Sequence, residues 1–290
     1  MEKISFLDIF MTSWRLSISR RTFLVFGFFI ALPLAAQIFL LPPVDTSPTD
    51  QWLTEITLHP TRTIFFLLGY FLFTLFGKGN LIVSLGQTRR EKKESLFSFP
   101  SLSRTFSRAL ILDASIGAFL IVLLILLALP TLIASRTIGS VPETLSLLTL
   151  LTFAPIAIVV FFVREFSYFY FLLSPLRLKT ALEVSTNYFL HHRTIALWFG
   201  LFSLLLSLLF TFFLNLAMLA IVALFQRFTP ALPEAIVVFV GSLICFTWYT
   251  TFRQTLWFTF FQYLATPKDK TKVVETKTIL EEKISESSSV

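Results

Sequence analysis

The chain has 290 residues, of which 55% are hydrophobic and 14% charged, and its formal net charge is +7. Soluble domains carry about 25% charged residues, so this composition excludes an ordinary water-soluble protein and indicates one that uses lipid as its solvent. One cysteine, Cys245, and three histidines argue against a disulfide framework and against a Cys/His metal centre.

The first element is amphipathic. Residues 4–18, ISFLDIFMTSWRLSI, carry an apolar face and an opposite polar face at helical spacing. The pattern predicts a helix within residues 1–21 that lies along the cytoplasmic surface of a membrane. The predicted apolar face is formed by Leu7, Phe10, Met11, Trp14 and Ile18, and the polar face by Asp8, Thr12, Arg15 and Ser19.

The next stretch, SRRTFLVFGFFIALPLAAQ from Ser19 to Gln37, resembles a twin-arginine export signal. The apolar run continues through QIFLL, past the small residues where a signal would be cut, and Arg108 and Arg193 occupy the same place before later spans. We therefore expect a retained first span and no cleaved signal peptide.

Six apolar runs are long enough for spanning helices, which need about 20 residues. Runs such as AFLIVLLILLALP do not alternate in polarity, which excludes the strands of a membrane barrel. The predicted fold is all-α and polytopic, with a transmembrane domain over residues 22–265. The predicted spans are residues 22–41, 63–85, 109–133, 145–163, 194–225 and 235–257.

The basic residues predict the orientation. Of the 24 Lys and Arg, only Arg62, Arg136 and Arg227 fall on one side of the predicted spans. The side rich in Lys and Arg is cytoplasmic by the positive-inside rule. Both termini are then cytoplasmic, in the inner (plasma) membrane of a bacterium. This distribution is typical of membrane-flanking residues and not of a nucleic-acid surface.

The inner segments are longer than the outer loops and are amphipathic. In SPLRLKTALEVSTNYFLHHR, Ser174 is expected to cap a surface helix and Pro175 to take its first position. Its lipid-facing side chains are predicted to be Leu178, Leu182 and Phe189, and its water-facing ones Lys179 and Glu183. A second basic-aromatic segment, SLFSFPSLSRTFSR, precedes the third span. Residues 266–290 are polar and predict a mostly disordered cytoplasmic tail.

The chain could repeat one unit three times, a surface helix followed by a helical hairpin. Arg21, Arg108 and Arg193 recur at similar intervals, and RTFLVFG resembles RTIALWFG. Any six-span protein with both ends inside also places basic residues before its odd helices. Both interpretations stay open.

No catalytic motif is present. GKGN, at Gly77 to Asn80, lacks the spacing of a phosphate-binding loop. His191 and His192 lie at a basic helix start, where interfacial histidines are common. We expect no enzymatic activity, no cofactor and no metal.

Two polar features lie within the spans. Ser203, Ser207, Thr211 and Asn215, here called the polar stripe, recur every four residues and indicate a helix-packing seam or a substrate-lining surface. The polar cluster consists of charged residues near the inner membrane boundary, where charge is expensive and usually paired or functional. Its members are Lys78, Asp113, Arg164, Glu165 and Arg253.

Depth predicts one pair within the polar cluster. Lys78 lies about 22 Å inward of residue 63, and Asp113 about 6 Å from the inner end of the third span. Because the two share a depth on consecutive helices, we expect them to pair, either as a structural pair or as part of a transport pathway.

The segments TALEVSTNYFLHHRTIALWFGLF and FLDIFMTSWRLSISRRTFLVFGFF resemble a broad group of six-span bacterial membrane proteins. The group includes the membrane domain found beside glycerophosphodiester phosphodiesterases. The shared features are an Ala-Leu-x-x-Ser helix, here Ala181, Leu182 and Ser185, and a Trp-bearing surface helix before the first span. The resemblance implies a six-span membrane domain; the chain has no phosphodiesterase domain to carry that activity.

We therefore expect a non-enzymatic inner-membrane protein, a transport-like or envelope-associated component whose working surface faces the cytoplasm. The alternatives are a permease subunit working with a separate ATPase and a membrane-bound lipid-modifying enzyme. Expected partners are the bilayer, with anionic headgroups at the basic inner segments, and a membrane or cytoplasmic protein or a second copy of the chain.

Overall fold

The computed structural model describes residues 5–19, 21–36, 59–89, 99–138, 143–228 and 234–265. Within these ranges the regular structure is entirely α-helical and comprises eight helices. The helices are α1 Phe6–Ser19, α2 Arg21–Ala36, α3 Pro60–Arg89, α4 Phe99–Ile138, α5 Glu143–Leu173, α6 Leu178–His191, α7 Arg193–Phe228 and α8 Glu234–Leu264. The predicted tail at 266–290 lies outside the described residues.

Five of these helices, α3, α4, α5, α7 and α8, are long and apolar enough to cross a membrane. They correspond to the second to sixth predicted spans, and they are consistent with an integral membrane protein. The first predicted span corresponds to α2, which meets α1 at an angle of 96°. Residues 37–41 of that span are outside the described ranges, so α2 is described over 16 residues.

Several helices extend beyond the predicted spans at what is predicted to be the cytoplasmic side. α4 begins at Phe99, so the segment SLFSFPSLSRTFSR is continuous with the span from that residue onward. α5 continues to Leu173 instead of ending at residue 163, and α8 continues to Leu264. No helix breaker separates span from extension, so the change from apolar to mixed sequence does not end the helix.

The side chains divide the bundle into two zones. In the lipid-exposed zone, large apolar side chains point outward, and α5 and α7 are only 6% and 11% buried over their most apolar windows. In the packed zone, the helices bury their apolar side chains against one another in one core cluster. Lipid tails are as apolar as leucine, so helices in lipid need no common core. The large exposed apolar side chains of the lipid-exposed zone are found between residues 64 and 73, 119 and 133, 147 and 159, 197 and 224, and 236 and 244.

Aromatic rings fill the packed zone. The rings of Phe199 on α7 and Phe260 on α8 stack with centroids 3.7 Å apart. Trp257 meets Phe199 edge-on at 5.0 Å and is almost fully buried. A Cβ on Gly200 would lie 2.3 Å from the Phe162 ring, so only glycine admits this ring between α5 and α7. The abundant phenylalanine of the sequence thus supplies much of the packing of this zone.

α2 lies between α3 and α8 at close range. Thr251 on α8 donates a hydrogen bond to the Phe23 carbonyl, and Thr250 donates one to the Gly27 carbonyl. A Cβ on Gly27 would come within 2.0 Å of Thr251 Oγ1, and one on Gly77 within 2.7 Å of the Phe26 carbonyl oxygen. Small residues permit this approach, so the first apolar segment is part of the centre of the bundle.

α1 packs against α8 and α2. Ile9, Ser13 and Ser17 form its buried face against α8. Most of its predicted apolar face, Leu7, Met11, Trp14 and Ile18, is exposed. The helix therefore has a buried face, a polar face and an exposed apolar face. The exposed apolar face is typical of a helix at a membrane surface.

α6 differs from the prediction in two respects. It begins at Leu178 with Arg177 as N-cap, so the expected cap at Ser174 and first position at Pro175 are wrong. The Ser174 N–H instead bonds to the Tyr170 carbonyl at the end of α5, and Arg108 Nη2 donates to the carbonyls of Ser174 and Leu176. These bonds hold the connection in an extended form.

The predicted lipid-facing side of α6 is also wrong in part. Phe189 is buried and stacks on Phe162 of α5 at 5.2 Å, while Leu178 and Leu182 pack partly against the same core. Lys179 and Glu183 are exposed, as predicted. α6 therefore packs much of its apolar side against the protein core.

Candidate functional site

An ion pair joins α3 to α5 inside the bundle. Lys78 Nζ lies 2.6 Å from Glu165 Oε1, and the two side chains are 6% and 5% exposed. Lys78 Nζ also lies 3.9 Å from the centroid of the Tyr168 ring, one turn further along α5. The Lys78 ammonium is thus held between a carboxylate and an aromatic face, and little of it reaches solvent.

A second ion pair joins α4 to α5. Arg164 donates from Nε to Asp113 Oδ1 at 2.7 Å and from Nη2 to Asp113 Oδ2 at 2.6 Å. Asp113 is 4% exposed, whereas the Arg164 side chain is 33% exposed. Such a bidentate pair fixes the geometry of both groups, and it opens to the exterior only through the guanidinium.

The predicted direct pair between Lys78 and Asp113 is therefore wrong. The two residues attract each other electrostatically, but each is hydrogen-bonded to a neighbouring residue on α5. Consecutive residues on a helix point about 100° apart, so Arg164 reaches α4 while Glu165 reaches α3.

Arg253, the fifth residue of the polar cluster, lies on α8 and is half-buried. It is close enough to Glu165 and to Tyr70 of α3 to interact electrostatically with both. Among the described residues its guanidinium has no hydrogen bond and no ion pair within 4.0 Å. Within the described ranges it is thus a cation at the junction of α3, α5 and α8 without a direct acidic partner.

Further polar groups meet at this junction. Glu165 Oε2 and Thr74 Oγ1 are buried and have no hydrogen-bond partner in the described parts of the chain. Tyr70, Thr74 and Lys78 follow one another at four-residue intervals on one face of α3. Tyr70 and Thr74 were not predicted as members of the cluster, although their four-residue spacing from Lys78 was a signal that could have identified them.

The polar cluster lies where the two zones meet. Lys78 follows Phe73, the last exposed apolar residue before it on α3, by little more than one turn, and Arg164 follows Val159 on α5 by the same interval. On α4, Asp113 precedes the exposed run that begins at Phe119. The charges thus form one layer across the bundle, next to the apolar zone.

The polar stripe is divided between two environments. Ser203 is buried against α8, and Ser207 accepts a hydrogen bond from the Tyr249 hydroxyl. Thr211 bonds back to the Ser207 carbonyl within α7 and is exposed. Asn215 is exposed as well and has no hydrogen bond within the described ranges. Among the described helices, Ser203 and Ser207 of the stripe lie in a helix contact, and Thr211 and Asn215 do not.

This division predicts the effect of substitutions along the polar stripe. Ser207→Ala removes the acceptor of the Tyr249 hydroxyl and should destabilise the protein by about 0.6 kcal/mol, the usual scale of such bonds in membranes. Asn215→Leu should cause no loss, because no partner of Asn215 is removed. Thermal unfolding of the detergent-purified variants measures both. Greater destabilisation by Asn215→Leu than by Ser207→Ala would contradict the placement of the stripe.

No family model, no curated protein and no solved structure matches this chain. The resemblance to six-span bacterial membrane proteins therefore stays a prediction.

Proposed function

We propose that the chain is a non-enzymatic, six-span inner-membrane protein that acts as a transport-like component, with the polar cluster as its working centre. The observation that carries this proposal is the sealed Lys78–Glu165 pair, 2.6 Å long, in which Glu165 Oε2 has no hydrogen-bond partner among the described residues. Ionisable groups inside a span are costly, and they are typically retained along ion and substrate paths.

The position of the polar cluster along the helices favours a working centre that faces the cytoplasm. The cluster lies toward the ends of α3, α5 and α8 that the basic residues place on the cytoplasmic side. The lipid-exposed zone beyond it presents mainly apolar side chains. We expect a solute to reach the cluster from the cytoplasmic side and not through the apolar zone.

Solute profiling of membrane vesicles tests the transport-like role. Inverted vesicles with the wild-type chain should gain or lose at least one small molecule, measured by untargeted mass spectrometry, and Glu165→Gln should abolish that change. The matched control is Glu183→Gln, which alters an exposed carboxylate on α6. Identical solute profiles for wild type and a folded, membrane-inserted Glu165→Gln variant would rule the proposal out.

The proposed topology has six spans and both termini in the cytoplasm. With the native Cys245 replaced by Ala, a cysteine in the outer loop (Thr49→Cys) should react with an impermeant maleimide in intact cells. A cysteine in the tail (Asp269→Cys) should react only after lysis. Labelling of the tail position in intact cells would contradict this arrangement.

The proposal also retains the first apolar segment. Cleavage after Ala36 would remove α1 and α2, and with them the carbonyls of Phe23 and Gly27 that accept bonds from α8. The intact mass of the purified protein should therefore include residues 1–36, and a mature terminus at Gln37 would contradict retention.

A further inference from the structure

We propose that the junction of α3, α5 and α8 beside Arg253 is a binding site for an oxyanion, a phosphate or carboxylate group, with the Arg253 guanidinium as its main contact. The inference rests on the proposed function, because it names the substrate class of the same polar cluster. The observation behind it is a set of polar groups from three helices that meet without satisfying one another.

Arg253 supplies the principal attraction. Its guanidinium carries five N–H donors in a planar fork that matches carboxylate and phosphate oxygens. The residue is half-buried, and none of those donors is used within the part of the chain that the structure describes. Lys78 and Arg164, by contrast, are each engaged by a carboxylate at 2.6 Å.

α3 supplies a neutral donor on the face that carries Tyr70 and Lys78. α8 packs against both α3 and α5, and Arg253 is close enough to Tyr70 and to Glu165 to interact electrostatically with both. Thr74 lies one turn from Tyr70 and one turn from Lys78, so its hydroxyl belongs to the same face. Thr74 Oγ1 is buried without a partner among the described residues and can donate to a bound oxygen. The fork of Arg253 and the Thr74 hydroxyl thus offer donors from two helices.

The charge balance favours an anion over a cation. The polar cluster contains Lys78, Arg164 and Arg253 against Asp113 and Glu165, so one positive charge is uncompensated. Asp113 already uses both of its oxygens on Arg164, and Glu165 uses one on Lys78. An incoming cation would be repelled by Arg253 and Lys78, and only one carboxylate oxygen of the cluster, Glu165 Oε2, would be free to bind it. An oxyanion neutralises the cluster.

The oxyanion could come from a lipid headgroup or from a soluble molecule. The lipid-exposed zone adjoins the site, since Leu67 and Phe71 flank Tyr70 on α3 and are exposed. An acyl chain could therefore extend from a bound headgroup along this surface. A soluble anion would use only the polar contacts.

Thermal unfolding in maltoside detergent distinguishes these sources, with dodecyl phosphate and inorganic phosphate as the two probes. At least one probe should raise the unfolding temperature of the wild type in a saturable manner. Arg253→Gln should weaken its apparent affinity roughly tenfold or more, as expected for a lost charge-assisted bond. Thr74→Val should cause a smaller loss. The control is Arg104→Gln, an exposed arginine on α4, which should leave the affinity unchanged.

Stabilisation by dodecyl phosphate alone would assign the site to lipid headgroups, and stabilisation by inorganic phosphate as well would assign it to soluble oxyanions. If neither probe stabilises the wild type, or if a folded Arg253→Gln variant keeps full affinity, the site does not exist. Should Arg253→Gln fail to fold, Thr74→Val decides. Arg253-dependent binding without any change in vesicle solutes would support the oxyanion site and contradict the transport role. A Glu165-dependent change in vesicle solutes without Arg253-dependent binding would support the transport role and contradict the site.

Discussion

Replacing Glu165 by Gln should destabilise the protein more than replacing Glu165 and Lys78 together. The single change leaves the Lys78 ammonium, 6% exposed, without its carboxylate 2.6 Å away. An uncompensated buried charge typically lowers the free energy of unfolding by about 3 to 5 kcal/mol. The double variant Lys78→Gln with Glu165→Gln removes both charges and should recover most of this loss.

A double-mutant cycle in lipid nanodiscs measures the coupling. The coupling energy between Lys78 and Glu165 should exceed that between Lys78 and Asp113, which have no direct bond. The exposed Lys179–Glu183 pair, at 3.8 Å, is the matched control, and its coupling should stay below about 0.5 kcal/mol. If the effects of Lys78→Gln and Glu165→Gln simply add, the ion pair contributes no coupling and its assignment is wrong.

Gly27→Ala should be the most disruptive single-methyl change among the glycines of the central helices. Its Cβ would lie 2.0 Å from Thr251 Oγ1 and 2.7 Å from the Thr247 carbonyl oxygen. The threonine side chain can rotate, but a backbone carbonyl in α8 moves only if the two helices separate. Overpacking of this kind usually costs about 1 to 3 kcal/mol, and here it also breaks the hydrogen bond to the Gly27 carbonyl.

Gly69→Ala and Gly117→Ala serve as controls, because a Cβ at either position meets nothing within 4 Å. Both should fold as well as the wild type or better, since alanine favours the helix by up to about 1 kcal/mol over glycine. Unfolding temperature and the yield of monodisperse protein measure all three variants. Equal behaviour of Gly27→Ala and Gly117→Ala would show that α2 does not pack on α8 at this distance.

The sequence predicted the depth of the polar cluster better than its pairing. Run length and basic flanks placed Lys78, Asp113 and Glu165 near one level, because rise per residue converts position into depth. Which side chains meet depends on the rotation of each helix about its axis. A lipid-facing helix has little periodic polarity to reveal that rotation, so Lys78 was assigned to Asp113 on the neighbouring helix instead of Glu165.

The packed zone was the least predictable part. The apolar face of α6 suits lipid and protein equally well by composition, and only the structure shows Phe189 on Phe162. The Ser174 cap had a correct sequence signature, but the bonds from Arg108 to the Ser174 and Leu176 carbonyls hold this connection extended. Tertiary contacts thus override the local signal for the helix start.

The contact between α2 and α8 has a consequence during synthesis. The Thr250 and Thr251 hydroxyls bond to carbonyls 223 and 228 residues earlier in the chain. Protein synthesis proceeds at about 5 to 20 residues per second, so the contacting residues of α8 are made roughly 10 to 45 s after α2. During that interval the face of α2 around Gly27 lacks the helix that covers it. The packing of α2 is therefore completed by a late, long-range contact and not within a hairpin of neighbouring helices. A chain stalled before α8 would leave this face of α2 uncovered and accessible to quality-control proteases.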